Sequence, residues 1–186
     1  MSVPPATDGC DAGTSASRGG IVLIGPMGAG KSSVARALAH RTGLRWVDTD
    51  RMVSQLVGLS IAEIFETHGE SHFRDLETRA IRSIASLGPV IAATGGGVVI
   101  RPENVEMLRS LGRVVWLTAG ADVLFERVSR TRKRPLLETA DPRTTLTELL
   151  EARKPFYTAC AHCKIDTSSL THAQVADAIL AWRPPG

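Results

Sequence analysis

Apolar positions along the chain follow two alternating patterns. Short, almost continuously apolar runs are typical of parallel strands that are covered on both faces. These runs lie at Ile21–Ile24, Arg45–Val47, Val90–Ala93, Arg113–Leu117 and Cys163–Ile165. Between them, apolar residues at helical spacing predict helices at Lys31–Arg41, Asp50–Leu56, Ile61–Thr67, Glu70–Leu87, Pro102–Ser110, Ala121–Thr131, Thr145–Thr158 and Ala173–Trp182.

This alternation predicts an α/β fold, in which helices cover both faces of a parallel sheet. Ligands of such sheets bind at the carboxyl ends of the strands, so residues that directly follow strands are candidates for function. Local signals support the helix ends. Ser60 and Glu63 fit a capping box, Pro102 fits a first helical turn, and Gly43 and Gly112 fall just past helices.

Composition narrows the choice of function. The 186 residues suit one domain, and an apolar content of 43% with a charged content of 22% is ordinary for a globular chain. No apolar run approaches the length that spans a bilayer. With a net charge of +3 and 4% aromatic residues, the chain lacks the basic and aromatic stripe that binds nucleic acid. Excess arginine suits a small anionic substrate.

Three segments fall outside the regular pattern. Residues 1–18 are rich in Ser, Ala, Gly and Pro, so we predict a disordered leader before a single domain at 19–186. The basic stretch from Arg127 to Arg134 runs into a loop-like region ending at Pro142, which predicts a mobile surface segment. Cys160, His162 and Cys163 would make an incomplete metal site, so buried thiols are the favoured interpretation. The three cysteines give no disulfide framework, which favours a reducing, cytoplasmic setting.

A phosphate-binding loop follows the first predicted strand. Residues Gly25–Ser32 fit Gly-x-x-x-x-Gly-Lys-[Ser/Thr], between a strand and a helix, which is the context that gives this motif its meaning. Backbone N–H groups of the loop and the helix N-terminus attract phosphate oxygens. The lysine reaches the terminal phosphates and the serine hydroxyl binds Mg²⁺. We therefore predict a catalytic Lys31 and nucleotide contacts from Gly28, Ala29, Gly30, Lys31 and Ser32.

Two carboxylates, Asp48 and Asp50, follow the second predicted strand. A phosphotransferase needs acidic groups that organise Mg²⁺ and orient the acceptor hydroxyl. Asp48, together with Ser32, is the better candidate for the metal, and Asp50 for the acceptor. The alternative for Asp50 is that it only caps the next helix.

Arginines and glycines later in the chain are candidates for binding the acceptor. Arg74 and Glu77 share a helical face, so the carboxylate could orient the guanidinium toward an anion; an exposed ion pair is the alternative. The run Gly95–Gly97 after the third strand favours a ligand that touches backbone, with a flexible turn as the alternative. Arg134 could neutralise the transferred phosphoryl group from a closing flap. The spacing does not determine which way Arg153 faces.

Together these motifs resemble the shikimate kinase family, over almost the whole chain from Gly20 to about Trp182. The phosphate loop is shared by a large superfamily. The specific part is the ordered set Asp48-x-Asp50, Phe73-Arg74-x-x-Glu77, Gly95-Gly96-Gly97, Arg134-Pro135-Leu136 and Arg153-x-Pro155-x-Tyr157. The resemblance implies a three-layer P-loop kinase fold, with a five-stranded parallel sheet in the order 2-3-1-4-5 and a mobile lid at about 127–143.

The resemblance also implies an activity: transfer of the γ-phosphoryl group of ATP to the 3-hydroxyl of shikimate, with Mg²⁺, in the pathway to chorismate and the aromatic amino acids. Asp50 would hold ring hydroxyls, Arg74 and Arg153 would clamp the carboxylate, and the backbone of Gly95–Gly97 would contact the substrate. Further contacts would come from Ser33 and Arg134 on the nucleotide phosphates, Asp166–Ser168 near the adenine, and Phe65 and Phe73 along the pocket. The implied partners are shikimate and ATP, without nucleic acid or membrane, for a monomer.

Other functions stay open at this point. A kinase for another small polyol acid, such as gluconate, shares the loop and the reaction type, although the paired arginines and the glycine run favour shikimate. A nucleoside monophosphate kinase and a nucleotide-regulated binding module are further alternatives. The chain has no guanine-reading Asn-Lys-x-Asp motif, which weighs against a GTPase switch.

Overall fold

The computed structural model describes residues 19–130, 135–137 and 139–182. The strands found there form one parallel sheet in the order β2-β3-β1-β4-β5, which confirms the order that the resemblance implied. Their bounds are β1 Gly20–Ile24, β2 Trp46–Asp48, β3 Ile91–Ala93, β4 Gly112–Thr118 and β5 Cys163–Asp166.

The helices are close to those predicted from the apolar spacing. They are α1 Lys31–Thr42, α2 Thr49–Val57, α3 Ile61–Ile84, α4 Pro102–Leu111, α5 Ala121–Ser129, α6 Pro142–Cys160 and α7 His172–Ala181. Short 3₁₀ turns lie at Ala85–Leu87, Val98–Ile100 and Pro135–Leu137, and the second and third of these were not predicted.

The central strand β1 is buried along its whole length, and its side chains alternate between two cores. Ile21 and Leu23 pack with residues of α1, α5 and α7 on one face of the sheet. Val22 and Ile24 pack on the other face with residues of α3, α4 and α6. This arrangement explains why the strands read as continuous apolar runs, and it makes the predicted three layers.

The predicted helix ends are largely confirmed. The Ser60 and Glu63 capping box is present, and Gly43 closes α1 with a left-handed φ of 71°. Gly112 ends α4 differently, because it opens β4 at once with a φ of 154°. A Cβ there would lie 2.1 Å from the carbonyl oxygen of Gly20, so the close approach of two strands requires glycine at this position.

One predicted helix boundary is wrong. Helix α6 begins at Pro142 rather than at Thr145, because the Asp141 side chain accepts hydrogen bonds from the backbone N–H groups of Arg143 and Thr144. Proline at the first helical position completes this helix start. The predicted break between the helices at Ile61–Thr67 and Glu70–Leu87 is confirmed, because the backbone of α3 is non-helical at Gly69 (φ 77°, ψ 172°).

The Cys160–Cys163 segment is built into the fold rather than into a metal centre. Cys160 is buried, and Nδ1 of His162 accepts a hydrogen bond of 2.9 Å from the backbone N–H of Val114. Among the residues described, no group of three His, Cys, Asp or Glu side chains is placed to hold a metal ion. Within the same ranges, none of the helices combines the length and the apolar character needed to cross a membrane.

Candidate active site

The phosphate loop connects β1 to α1, as the motif predicted. The Lys31 ammonium donates hydrogen bonds of 2.7 Å to the carbonyl oxygens of both Gly25 and Pro26, so it lies over the loop. Gly28 and Gly30 have φ values of 81° and 86°, which L side chains rarely adopt. The loop therefore has the inward-turned backbone of an anion-binding nest.

The side chain of Ser32, at the start of α1, points to the end of β2. Its hydroxyl donates a hydrogen bond of 2.6 Å to Oδ2 of Asp48. The other oxygen of Asp48, Oδ1, accepts from the backbone N–H groups of Asp50 and Arg51 and so caps α2. The capping residue is thus Asp48, and the idea that Asp50 caps the helix is wrong.

Asp50 lies in the first turn of α2, which carries its side chain inward. Asp50 does not extend the strand that ends at Asp48, because α2 begins at Thr49. Thr49 is buried and fixes this corner, since its hydroxyl accepts a hydrogen bond of 3.0 Å from the backbone N–H of Gly95. The helix that begins between them therefore gives the two carboxylates different neighbours: Ser32 for Asp48, and Gly95 for Asp50.

Two adjoining clefts open at this edge of the sheet. The first, here called the loop cleft, is lined by Met27, Gly28, Gly30, Lys31, Ser32, Ser33, Asp48, Asp50, Thr94, Gly96, Arg127 and His172. The second, here called the inner cleft, is lined by Met27, Asp50, Ile61, Phe65, Phe73, Arg74, Glu77, Gly95, Gly96, Gly97, Leu136 and Arg153. Met27, Asp50 and Gly96 belong to both, so a group in one cleft is adjacent to a group in the other.

The Arg74 guanidinium in the inner cleft is held by two carboxylates. Nη1 donates to Oε2 of Glu77 at 2.9 Å, and Nη2 donates to Oε1 of Glu70 at 2.7 Å. The Arg74 side chain is 9% exposed and that of Glu77 is fully buried, so this is not the exposed ion pair that the sequence left open. Burial lowers the pKa of Arg74, but the ion pairs with Glu77 and Glu70 outweigh that effect and raise it. The group stays a cation.

Glu77 is a strongly perturbed carboxyl of the site. Burial, with a smaller contribution from the nearby Asp50 charge, raises its pKa to about 7 against the opposing effect of the Arg74 cation. The group therefore titrates near neutral pH while remaining beside Arg74. Perturbed titrating groups in a cleft are characteristic of functional sites.

The run Gly95–Gly97 leaves room for the side chains of the cleft. A Cβ on Gly95 would lie 2.5 Å from Oε1 of Glu77 and 2.8 Å from Oδ1 of Asp50. A Cβ on Gly97 would lie 2.3 Å from Nη2 of Arg74. The alternative of a merely flexible turn is thereby wrong, because each glycine admits a neighbouring functional group to close range.

Arg153 faces the inner cleft from α6, which answers the question that its spacing left open. It is 7% exposed although it is charged. One turn later, the buried Tyr157 hydroxyl donates a hydrogen bond to the carbonyl oxygen of Gly96. Two cationic side chains, from α3 and α6, therefore converge on one cleft, which is suited to a small anion with hydroxyl groups.

Sequence reasoning missed Arg127, which lines the loop cleft and contacts Thr167. Arg127 was assigned to a surface segment, but its guanidinium donates to the carbonyl oxygens of Gly28 and Thr167 at 3.4 and 2.8 Å. Thr167 is buried, and its hydroxyl reaches the carbonyl oxygen of Ala29. Nothing in the sequence distinguishes Arg127 from the solvated arginines beside it in the basic stretch. The Asp166–Ser168 segment, in contrast, was identified through the resemblance.

The other predicted residues divide into three groups. Ser33, Phe65 and Phe73 line the clefts as expected, while the predicted contact Ala29 is buried beneath the loop. Asp166 is exposed and caps its own turn, with Oδ1 accepting from the backbone N–H of Ser168, and it does not line either cleft. Arg134, the leader at 1–18 and the centre of the predicted lid lie outside the described residues.

The chain is similar to shikimate kinases over most of its length. The family model described as shikimate kinase matches residues 27–183. A shikimate kinase of Nitrobacter winogradskyi is 47% identical over 137 residues, which are 74% of this chain and 64% of that protein. One of Caldanaerobacter subterraneus subsp. tengcongensis is 42% identical over 160 residues, 86% of this chain and 93% of that protein.

Solved structures give the same result at the level of the fold. The shikimate kinase from Acinetobacter baumannii, solved in complex with shikimate, superposes with a TM-score of 0.84 at 37% identity and covers 87% of this chain and 90% of its own. The enzyme from Aquifex aeolicus gives a TM-score of 0.72 at 31% identity, with 86% and 92% covered.

Proposed function

The chain belongs to the shikimate kinase family, and we propose that its two clefts carry out the family's reaction in the way described below. It is a kinase of the shikimate pathway, which leads to the aromatic amino acids. The reaction moves the γ-phosphoryl group of ATP onto the 3-hydroxyl of shikimate. The observation that carries the site assignment is the adjacency of the loop cleft and the inner cleft, which share Met27, Asp50 and Gly96.

The loop cleft is proposed to hold the triphosphate of ATP. Gly28, Gly30 and the first turn of α1 supply backbone N–H groups, and Ser33 adds a hydroxyl. The Lys31 ammonium, which is held over the loop by the Gly25 and Pro26 carbonyl oxygens, neutralises charge that develops on the transferred group. Arg134, from the lid, is proposed to add a second positive charge.

The inner cleft is proposed to hold shikimate. The cations Arg74 and Arg153 bind its carboxylate, because both are buried and converge on the cleft from opposite helices. Asp50, which lines both clefts, accepts a hydrogen bond from the reacting hydroxyl and orients it toward the phosphate. Little covalent chemistry falls to the protein in phosphoryl transfer, so the main contributions are positioning and charge stabilisation.

The donor set beside the loop fits Mg²⁺. Ser32 Oγ and Asp48 Oδ2 are hard oxygen atoms 2.6 Å apart at the entrance to the phosphate site, and one or two protein oxygens with phosphate oxygens are the usual surroundings of this ion. We propose that Ser32 binds the ion directly and Asp48 through water. When bound, Mg²⁺ offsets negative charge on the phosphates.

We further propose that the protein acts as a cytoplasmic monomer. The cytoplasmic setting rests on the absence of a disulfide framework in the sequence, and the monomeric state on the family resemblance.

The direct test is release of ADP from MgATP in the presence of shikimate, gluconate, AMP or no acceptor. Strong turnover with shikimate alone is the expected result. Turnover with gluconate or AMP would keep the loop cleft as the nucleotide site but contradict the assignment of the inner cleft. Turnover that needs no acceptor would point to a nucleotide-regulated binding protein.

A further inference from the structure

Tyr157 lies behind the inner cleft and is not part of its lining. It is 1% exposed, and its ring stacks on Trp116 of β4 with the centroids 5.5 Å apart and the planes at 28°. A phenol buried this deeply needs a partner for its hydroxyl. The hydroxyl finds that partner in the carbonyl oxygen of Gly96, 61 positions away in the sequence.

The phenol also lies beside Arg153. The two residues are four apart on α6 and are therefore neighbours on one helical face. Burial raises the pKa of Tyr157 to about 12, although the nearby Arg153 cation opposes this. Tyr157 therefore keeps its proton over the whole working range, and its hydroxyl donates to Gly96 next to the Arg153 cation.

Tyr157 lies next to two parts of the inner cleft: Gly96, which it hydrogen-bonds, and Arg153, one turn away on α6. A Cβ on Gly96 would lie 3.6 Å from Nη1 of Arg153 and 3.5 Å from the carbonyl oxygen of Gly25, so these groups meet around one backbone position. The stacking partner Trp116 reaches the same corner, with its Cδ1 atom 3.3 Å from the Cβ position at Gly25.

We infer that Tyr157 is a positioning residue for the acceptor: its hydroxyl fixes the Gly96 backbone, beside which the Arg153 guanidinium lies. This inference rests on the proposed role of Arg153 in binding the shikimate carboxylate. It adds a group that lies behind the cleft lining but sets how well the clamp is aligned. Without the hydroxyl, the buried arginine keeps its charge, but the backbone next to it is no longer held in place.

The test compares Tyr157→Phe, Arg153→Ala and their double variant with the unmodified protein. Tyr157→Phe keeps the ring and its stacking on Trp116, so only the hydroxyl is removed. We expect the KM for shikimate to rise about tenfold, which corresponds to loss of one buried hydrogen bond in a charged network. The KM for ATP and the kcat should stay within about threefold of the values for the unmodified protein. In the double variant, the two effects on the KM for shikimate combine to less than their product.

A second measurement isolates the carboxylate grip. The methyl ester of shikimate lacks the negative charge, so the ratio of kcat/KM for shikimate to that for the ester reports the clamp. Tyr157→Phe should lower this ratio, which a merely less stable protein would not do. Cys160→Ala is the control, because Cys160 is a buried residue on the same helix and packs in the core away from the clefts.

The outcomes separate this inference from the proposed function. If Arg153→Ala raises the KM for shikimate but Tyr157→Phe leaves it and the ester ratio unchanged, Tyr157 is structural and the clamp stands. If Arg153→Ala also has no effect, the clamp itself is wrong. Effects of Tyr157→Phe matched by Cys160→Ala, or fully multiplicative with Arg153→Ala, also overturn the positioning role.

Discussion

Gly97→Ala tests whether the inner cleft depends on room for Arg74. The new Cβ would lie 2.3 Å from Nη2 and 2.5 Å from both Cζ and Nη1 of Arg74. Ordinary contact begins at 3.4 Å, so the guanidinium must move by about 1.1 Å (3.4 − 2.3). Its hydrogen bonds to Glu77 and Glu70, at 2.9 and 2.7 Å, would then exceed the length at which such bonds hold.

The size of the effect follows from the contact that is lost. A hydrogen bond to a charged group contributes about 1.5–3 kcal/mol. If the displaced arginine no longer pairs with the substrate carboxylate, the KM for shikimate should rise roughly 10- to 150-fold, while the KM for ATP changes little. Steady-state kinetics with shikimate and ATP varied in turn measure both.

Gly120→Ala is the matched control for this substitution. Gly120 has nothing within 4 Å of its Cβ position and a φ of −56°, so alanine is accommodated there. The reasoning is refuted if Gly97→Ala folds normally and keeps a KM for shikimate within twofold of that of the unmodified protein. It is also refuted if Gly120→Ala produces the same rise.

Three further predictions follow from the site. Lys31→Ala should lower kcat by orders of magnitude with an unchanged circular dichroism spectrum, because the ammonium over the loop is lost; near-normal turnover would remove Lys31 from the mechanism. Ser32→Ala should raise the Mg²⁺ concentration needed for half-maximal rate several-fold, with a smaller change in the KM for shikimate, and equal Mg²⁺ titrations would contradict the metal assignment. Because the pKa of Glu77 is raised from 4.5 to about 7 on folding, its stabilising contribution is full below 4.5 and lost as the pH rises through 7. Denaturant unfolding from pH 5 to 8 should therefore show roughly 2–3 kcal/mol of lost stability that Glu77→Gln lacks, and parallel pH profiles for the two proteins would refute this.

Much of the fold could be predicted from the sequence, because strands that are buried on both faces of a sheet form continuous apolar runs. The strands β1 and β4 were found within a residue or two, and the glycine-rich loop was placed by its flanking elements. The start of α6 was missed although Asp141-Pro142 carries the signal, an N-cap side chain followed by proline at the first helical position.

Candidate site residues could be named from the sequence, but the contacts that position them could not. The chain order places Asp48 and Asp50 together, but only the helix that begins between them shows that one caps α2 and the other enters the clefts. Gly97 was expected to contact substrate, whereas its lack of a Cβ makes room for Arg74. Such packing between residues distant in sequence leaves no local pattern, and the same holds for the contact of Arg127 with Thr167.

The two oxygens of Asp48 give the molecule a thermodynamic linkage. Oδ2 meets Ser32 at the nucleotide side, and Oδ1 holds the first turn of α2, whose second residue is Asp50. A carboxylate is rigid, so a cation held near Oδ2, as proposed, would also act on the segment that carries Asp50, the proposed partner of the acceptor hydroxyl. If binding of the nucleotide–metal complex raises the affinity for the acceptor in this way, binding of the acceptor must raise the affinity for that complex by the same free energy.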